Sequence, residues 1–106
     1  MENQHRKIKG YRELSQVEID LMNRIKAKGA ELLELQAELV DMLKLQEVSK
    51  VSAMDEALDN DSSRDAKAEF NRFHAAEPFR WATIGKTDIQ TGIMALVRAV
   101  AQPAGV

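Results

Sequence analysis

From Leu21 onward, apolar residues recur at intervals of three, four and seven. Ile25, Leu32, Leu35, Leu39 and Met42 set the line, and Leu21, Met22, Leu33, Val40, Leu43 and Leu45 widen it. A helix turning once in about 3.6 residues gathers such positions on one face, so the spacing predicts a first long helix over residues 15–48. Its start is signalled locally. Ser15-Gln16-Val17-Glu18 is a capping box, in which the serine hydroxyl takes a free helix N–H and Glu18 reaches back to the Ser15 N–H. Leu14 and Ile19 flank it as a hydrophobic staple. A helix of that length is roughly 50 Å long at about 1.5 Å per residue. It can bury its stripe only by folding back on another helix or by pairing with other chains. Gly29 interrupts the pattern and marks a kink or a close helix–helix approach.

The polar run "DNDSSRD", Asp59 to Asp65, reads as a loop in which Ser62 or Ser63 caps a second helix. Ala66, Phe70 and Phe73 give that helix its apolar side, with Pro78 starting or kinking a last stretch through about Ala101. Trp81, Ile84, Ile89, Ile93, Leu96, Val97 and Val100 form the expected inner face of that stretch. The result is a single all-α domain over residues 1–106. It has a short basic N-terminal arm (1–14), the first long helix (15–48) and a connection (49–62), then a second helical region kinked near Pro78 (63–101) and a tail (102–106). The two helical regions form a long kinked hairpin. No strand pattern or internal repeat is present.

Composition agrees with that reading: two prolines, five glycines and few aromatics leave the helix formers dominant. With no cysteine, neither a disulfide framework nor a thiolate metal site can form. No apolar run approaches the roughly 18 residues needed to cross a bilayer, and the N-terminus lacks a signal-peptide core, so a cytosolic protein is expected. The net charge of −2 hides a polarity. Residues 1–30 hold seven Lys/Arg against four acids, residues 31–61 two against nine, and residues 62–106 six against four. A duplex-DNA binder shows a broader basic face; a small anion needs only a few cations at one spot.

The candidate chemistry is sparse. Gly85-Lys86-Thr87 ends like a P-loop, but Arg80 stands where the first glycine belongs and no strand precedes it. Asp59-Asn60-Asp61 opens like a calcium loop, yet Arg64 replaces the central glycine and Phe70 the closing glutamate. His5 and His74 belong to no metal-spaced cluster. No nucleophile–base arrangement stands out, so neither an enzyme nor a cofactor is expected. Tyr11 is the odd residue: it sits between Gly10 and Arg12 in a basic arm, just ahead of the capped helix. A tyrosine face can stack on a nucleobase, and the Lys26 ammonium, on the third turn of that helix, can neutralise a phosphate. The same two residues also read as a packing anchor and a solvated surface charge.

Two blocks, "HRKIKGYRELSQVEIDLMNRIKAKGAELLEL" and "FRWATIGKTDIQTGIMALVRAVAQP", resemble the phage anti-CBASS cyclic-oligonucleotide sponges of the second type. Residues 46–75 carry no part of the likeness. The resemblance implies a small helical protein, not an enzyme, acting in the cytoplasm of the infected bacterial host. Such a protein sequesters cyclic dinucleotides such as cyclic GMP-AMP, so that the immune effector is never activated. It implies hexamers with pockets where N-terminal regions of two protomers meet and, in some members, a separate site for cyclic trinucleotides. The stacking tyrosine and phosphate-contacting lysine match Tyr11 and Lys26. Gly10 would allow close approach of the ligand to the backbone, and Arg12 and Asn23 are neighbouring candidates. For the second site, Arg80, Lys86 and Arg98 are candidates only as cations within the second block. No DNA and no membrane partner is expected. The competing expectation is a scaffolding helical oligomer that meets a protein partner through its basic arm.

Overall fold

Three helices account for nearly all of the residues, 12–57 and 60–104, that the computed structural model describes: α1 (Gln16–Glu56), α2 (Asn60–Ala75) and α3 (Pro78–Ala101). No strand occurs among them, and no helix among them is long and apolar enough to cross a membrane. The all-α class and helical hairpin expected from the periodicity are what the chain forms.

The boundaries differ in instructive ways. α1 does not end at Val48 but continues to Glu56, so the connection expected over 49–62 is much shorter. Ser49 to Glu56 contains no glycine or proline to stop a helix, and Lys50 is tied down by tertiary partners described below. α2 begins at Asn60, which places Ser62 and Ser63 inside the helix rather than at its cap. Asp, Asn and Ser are nearly equivalent helix starters, so the run offers several start points. The observed one puts Asp61 in the first turn, where the helix dipole favours an anion. Near Pro78 the expected kink is a complete break. Glu77 takes a left-handed φ of 50° and its N–H bonds the His74 carbonyl, ending α2. Pro78 then opens α3 at the one position where its missing N–H costs nothing.

The chain divides into two compact units, one of Met1–Leu33 with Thr87–Val106, the other of Glu34–Lys86. The second holds the core. Leu43, Phe73 and Ala82 are buried there, with Val40 and Phe79 packed against them. The Phe73 and Phe79 rings meet edge to face at 6.3 Å. The Lys50 ammonium lies 5.4 Å from the Phe73 ring centroid and 3.1 Å from a Glu69 carboxylate oxygen, which Arg72 also grips at 2.7 Å. The Gln36 amide donates to the Ala82 carbonyl at 3.0 Å.

Two face assignments are corrected. Leu96, expected inward, is 56% exposed. Trp81, also expected inward, is 59% exposed with the Arg80 guanidinium over its ring, while its neighbour Ala82 is buried. On a helix, adjacent residues point about 100° apart, and the small alanine admits the close approach that an indole would block. The α1 stripe is also only partly covered. Leu43 is buried, whereas Leu35, Leu45 and Val48 are 59%, 71% and 62% exposed.

Candidate ligand-binding site

The first unit is organised at the start of α1. The Ser15 N–H donates to Glu18 Oε1 at 2.9 Å, and the Glu18 N–H donates to Ser15 Oγ at 3.2 Å, so the capping box forms as its sequence announces. Leu14 and Ile19 are half-buried beside it.

Arg12 adds what the local pattern does not contain. Its Nη1 and Nη2 reach both carboxylate oxygens of Glu18. Its Nη2 also donates to the Val100 carbonyl at 2.8 Å, and its Nε donates to the Ala101 carbonyl at 3.2 Å. Those carbonyls close α3, where Gln102, at φ 50°, turns its N–H back onto the Arg98 carbonyl. The last carbonyls of a helix have no partner within it, and here a guanidinium from the opposite end of the sequence takes two of them. One side chain thus joins the entry of α1 to the exit of α3.

The electrostatic consequence falls on Glu18. The Arg12 hydrogen bonds first, and the Ser15 amide next, hold its carboxyl down at about 2 from an ordinary 4.5. A carboxylate whose pKa is lower in the folded than in the unfolded chain stabilises the fold above about pH 4.5. That contribution is lost as pH falls towards 2. The difference in melting temperature between the parent protein and Glu18→Gln should therefore be widest near neutral pH and close progressively below pH 4.5. A gap that stays constant down to pH 2.5 would show that the carboxylate charge is not what matters.

Lys26 and Asn23 lie three residues apart on α1, both exposed and on neighbouring positions of one face. Lys26 makes no ion pair among the described residues, whereas Lys28 is 3.4 Å from Glu31. Tyr11 and Gly10 lie outside the described residues. Arg12, offered by the sequence as a ligand neighbour, has its guanidinium engaged within the chain. Of the second-site candidates, Arg80 stacks over Trp81 and lies 3.8 Å from Glu77, and Lys86 is exposed on α3. Those two are six residues apart on one helix, which points them roughly 120° from each other. Arg98 lies in the first unit, in the last turn of α3.

A groove of about 580 Å³ runs between α1 and α3 in the first unit, floored by Ile25, Gly29, Ile89 and Ile93. Lys26 does not line it. Its charged positions are Arg24 and Lys28 against Glu31 and Asp88, which cancel, and the rest of its lining is mostly apolar. That character does not suit a doubly anionic ligand. Among the described residues, no group of histidines and carboxylates is arranged to hold a metal ion.

Among the described residues, the fold is a helical hairpin with a capped first helix and an exposed Lys26 on its third turn. Residues 3–101 match the Acb2/Tad1 hairpin domain, and the chain belongs to that family. Among its relatives, Anti-CBASS protein 2 of Pseudomonas phage JBD67 is 60% identical over 108 residues, covering 99% of each chain.

Proposed function

We propose that this protein is a phage anti-CBASS protein that binds and sequesters cyclic dinucleotides, such as cyclic GMP-AMP, in the infected host cell without cleaving them. The observation that carries this reading is the near full-length match to Anti-CBASS protein 2. Lys26 supports it from the chain's own chemistry: an exposed ammonium with no ion-pair partner among the described residues is available to a phosphate. Tyr11 supplies a ring for base stacking. Cyclic trinucleotides are a second ligand class within the same proposal, at a site that Arg80, Lys86 and Arg98 do not by themselves define.

A homo-oligomer, with hexamer as the expected size, follows from the same reading. The exposed apolar positions of α1, Leu35, Leu45 and Val48 among them, are surface that further copies of the chain would cover. Two protomers around a two-fold axis would offer two tyrosines and two lysines to a ligand with two bases and two phosphates. Binding energy alone then suffices, and no catalytic group is required.

The test begins with incubation of the protein with cyclic GMP-AMP, followed by heat release and chromatography. Intact ligand is the expected product; linear dinucleotide would mean hydrolysis, and no retained ligand would favour a scaffolding role. In calorimetry, Tyr11→Ala should lose about 1–3 kcal/mol per stacked base, and Lys26→Ala should lose affinity more steeply at low salt than at high. Oligomer size, read by light scattering, should stay the same in both. Full affinity in either variant would remove that residue from the site.

A further inference from the structure

We propose that Arg12 is a positioning residue for the ligand site: by tying the segment that enters α1 to Glu18 and to the last carbonyls of α3, it fixes the point from which Tyr11 is offered. The inference rests on the reading of Tyr11 given above. Tyr11 is joined to Arg12 by a single peptide bond, and everything that holds Arg12 is within the chain. Glu18 anchors the guanidinium to the first turn of α1, and the Val100 and Ala101 carbonyls anchor it to α3. These anchors lie 6, 88 and 89 residues away in sequence, so Arg12 is fastened to a joint between two helix ends and not merely continued into one helix. An attachment point that moved would have to be fixed at the moment of binding, at a cost in affinity; one fastened beforehand has already met that cost. An arginine is suited to the task, because its planar fork serves a carboxylate and backbone carbonyls together, whereas a lysine presents one ammonium.

The alternative role for Arg12 is direct contact with a ligand phosphate, and the two roles separate on Glu18. Glutamine at the third helical position still completes a capping box, so Glu18→Gln removes the charged partner of Arg12 while leaving the helix start. Affinity for cyclic GMP-AMP would be measured by calorimetry in the parent, Arg12→Ala, Arg12→Lys, Glu18→Gln and the Arg12→Ala/Glu18→Gln double variant, each across a salt series. Arg12→Ala should weaken binding about tenfold or more, with Arg12→Lys intermediate. Glu18→Gln should weaken it in the same direction, and the double variant should be no weaker than Arg12→Ala alone. The salt dependence of binding should be unchanged in all of them, because no phosphate contact is lost.

A second readout follows residue 11 itself. The chain contains one tyrosine, so 3-fluorotyrosine incorporation gives a single fluorine resonance for it. In the ligand-free protein that resonance should move towards the free amino acid's position in Arg12→Ala and in Glu18→Gln. An unaltered resonance together with unaltered affinity would overturn the proposal. So would an Arg12→Ala loss with a shallower salt dependence and no effect of Glu18→Gln, which is the signature of a direct phosphate contact. If Arg12→Ala does not fold, Arg12→Lys and Glu18→Gln carry the same comparison. A parent protein that binds no cyclic GMP-AMP defeats the functional reading as well, whereas a parent that binds while every Arg12 and Glu18 variant matches it defeats only the positioning role.

Discussion

Replacing Phe73 by alanine should cost this protein about 3–5 kcal/mol of stability, the range for truncating a buried aromatic ring. It should lower the melting temperature by at least roughly 10 °C in a chain of this size. The expectation comes from how little core there is. Among the described residues only Leu43, Phe73 and Ala82 are buried apolar side chains, and Phe73 is the largest of them. The ring also organises its surroundings: Phe79 meets it edge to face, and the Lys50 ammonium sits over it while bonding Glu69. Alanine would leave a cavity bordered by Phe79 and Leu43 and would strip Lys50 of its aromatic partner. Phe73→Leu separates the contributions, since it refills most of the volume but has no ring. It should fall between the parent and Phe73→Ala, short of the parent by about 1–2 kcal/mol for the lost ring–ring and cation–π contacts. Melting must be compared at equal protein concentration, because under the proposed self-assembly the midpoint would depend on concentration. A Phe73→Ala loss below about 1 kcal/mol would mean that packing by other residues, not this ring, holds the second unit together.

How much of this was legible beforehand depended on how far each residue's partners lie along the chain. The start of α1 was fully legible, because Ser15 and Glu18 bond each other within one turn. The start of α3 was legible in part: proline marks the position, while the sequence left open whether Pro78 starts a helix or kinks one. The end of α1 was not. The apolar spacing carries the helix only to about Val48, yet Lys50 meets Glu69 and Phe73, which no window around residue 50 contains. The exchange of Trp81 for Ala82 on the inner face was hidden for a related reason. Periodicity ranks residues by apolarity, while a close helix approach selects for small size. At the site, Lys26, placed by the sequence on the third turn of α1, is exposed. The intrachain bonds of Arg12 were not legible: a cation beside a candidate stacking residue invites a ligand role, and its partners at Val100 and Ala101 are beyond any local pattern. A weak signal did exist, since an arginine three residues ahead of a capping serine can reach the glutamate of the box.

Gly29 reads as a kink or a close approach, and the structure bears out the close approach. α1 runs through it unbroken, and a β-carbon built at Gly29 would overlap Ile93 Cδ1 and lie 2.6 Å from Ile93 Cγ1. The Cδ1 methyl could swing away, but Cγ1 moves only if χ1 turns. A β-branched residue within a helix has essentially one favoured χ1. Gly29→Ala therefore sets two effects of opposite sign against each other. Alanine improves helix propensity by up to about 1 kcal/mol, while overpacking against a stiff neighbour costs about 1–3 kcal/mol. The clash should win, leaving Gly29→Ala less stable than the parent despite being the better helix former, and Gly29→Leu less stable still. In an Ile93→Ala background the obstructing carbons are gone. There the same Gly29→Ala change should become stabilising, by roughly the propensity difference alone. The change of sign across that double-mutant cycle, measured by denaturant unfolding, is the decisive result, because distant residues with no shared partners add to within about 0.5 kcal/mol. Should Gly29→Ala stabilise both backgrounds equally, the glycine is not required by contact with Ile93. The close pairing of α1 with α3 in the first unit, on which the Arg12 joint depends, would then need another explanation.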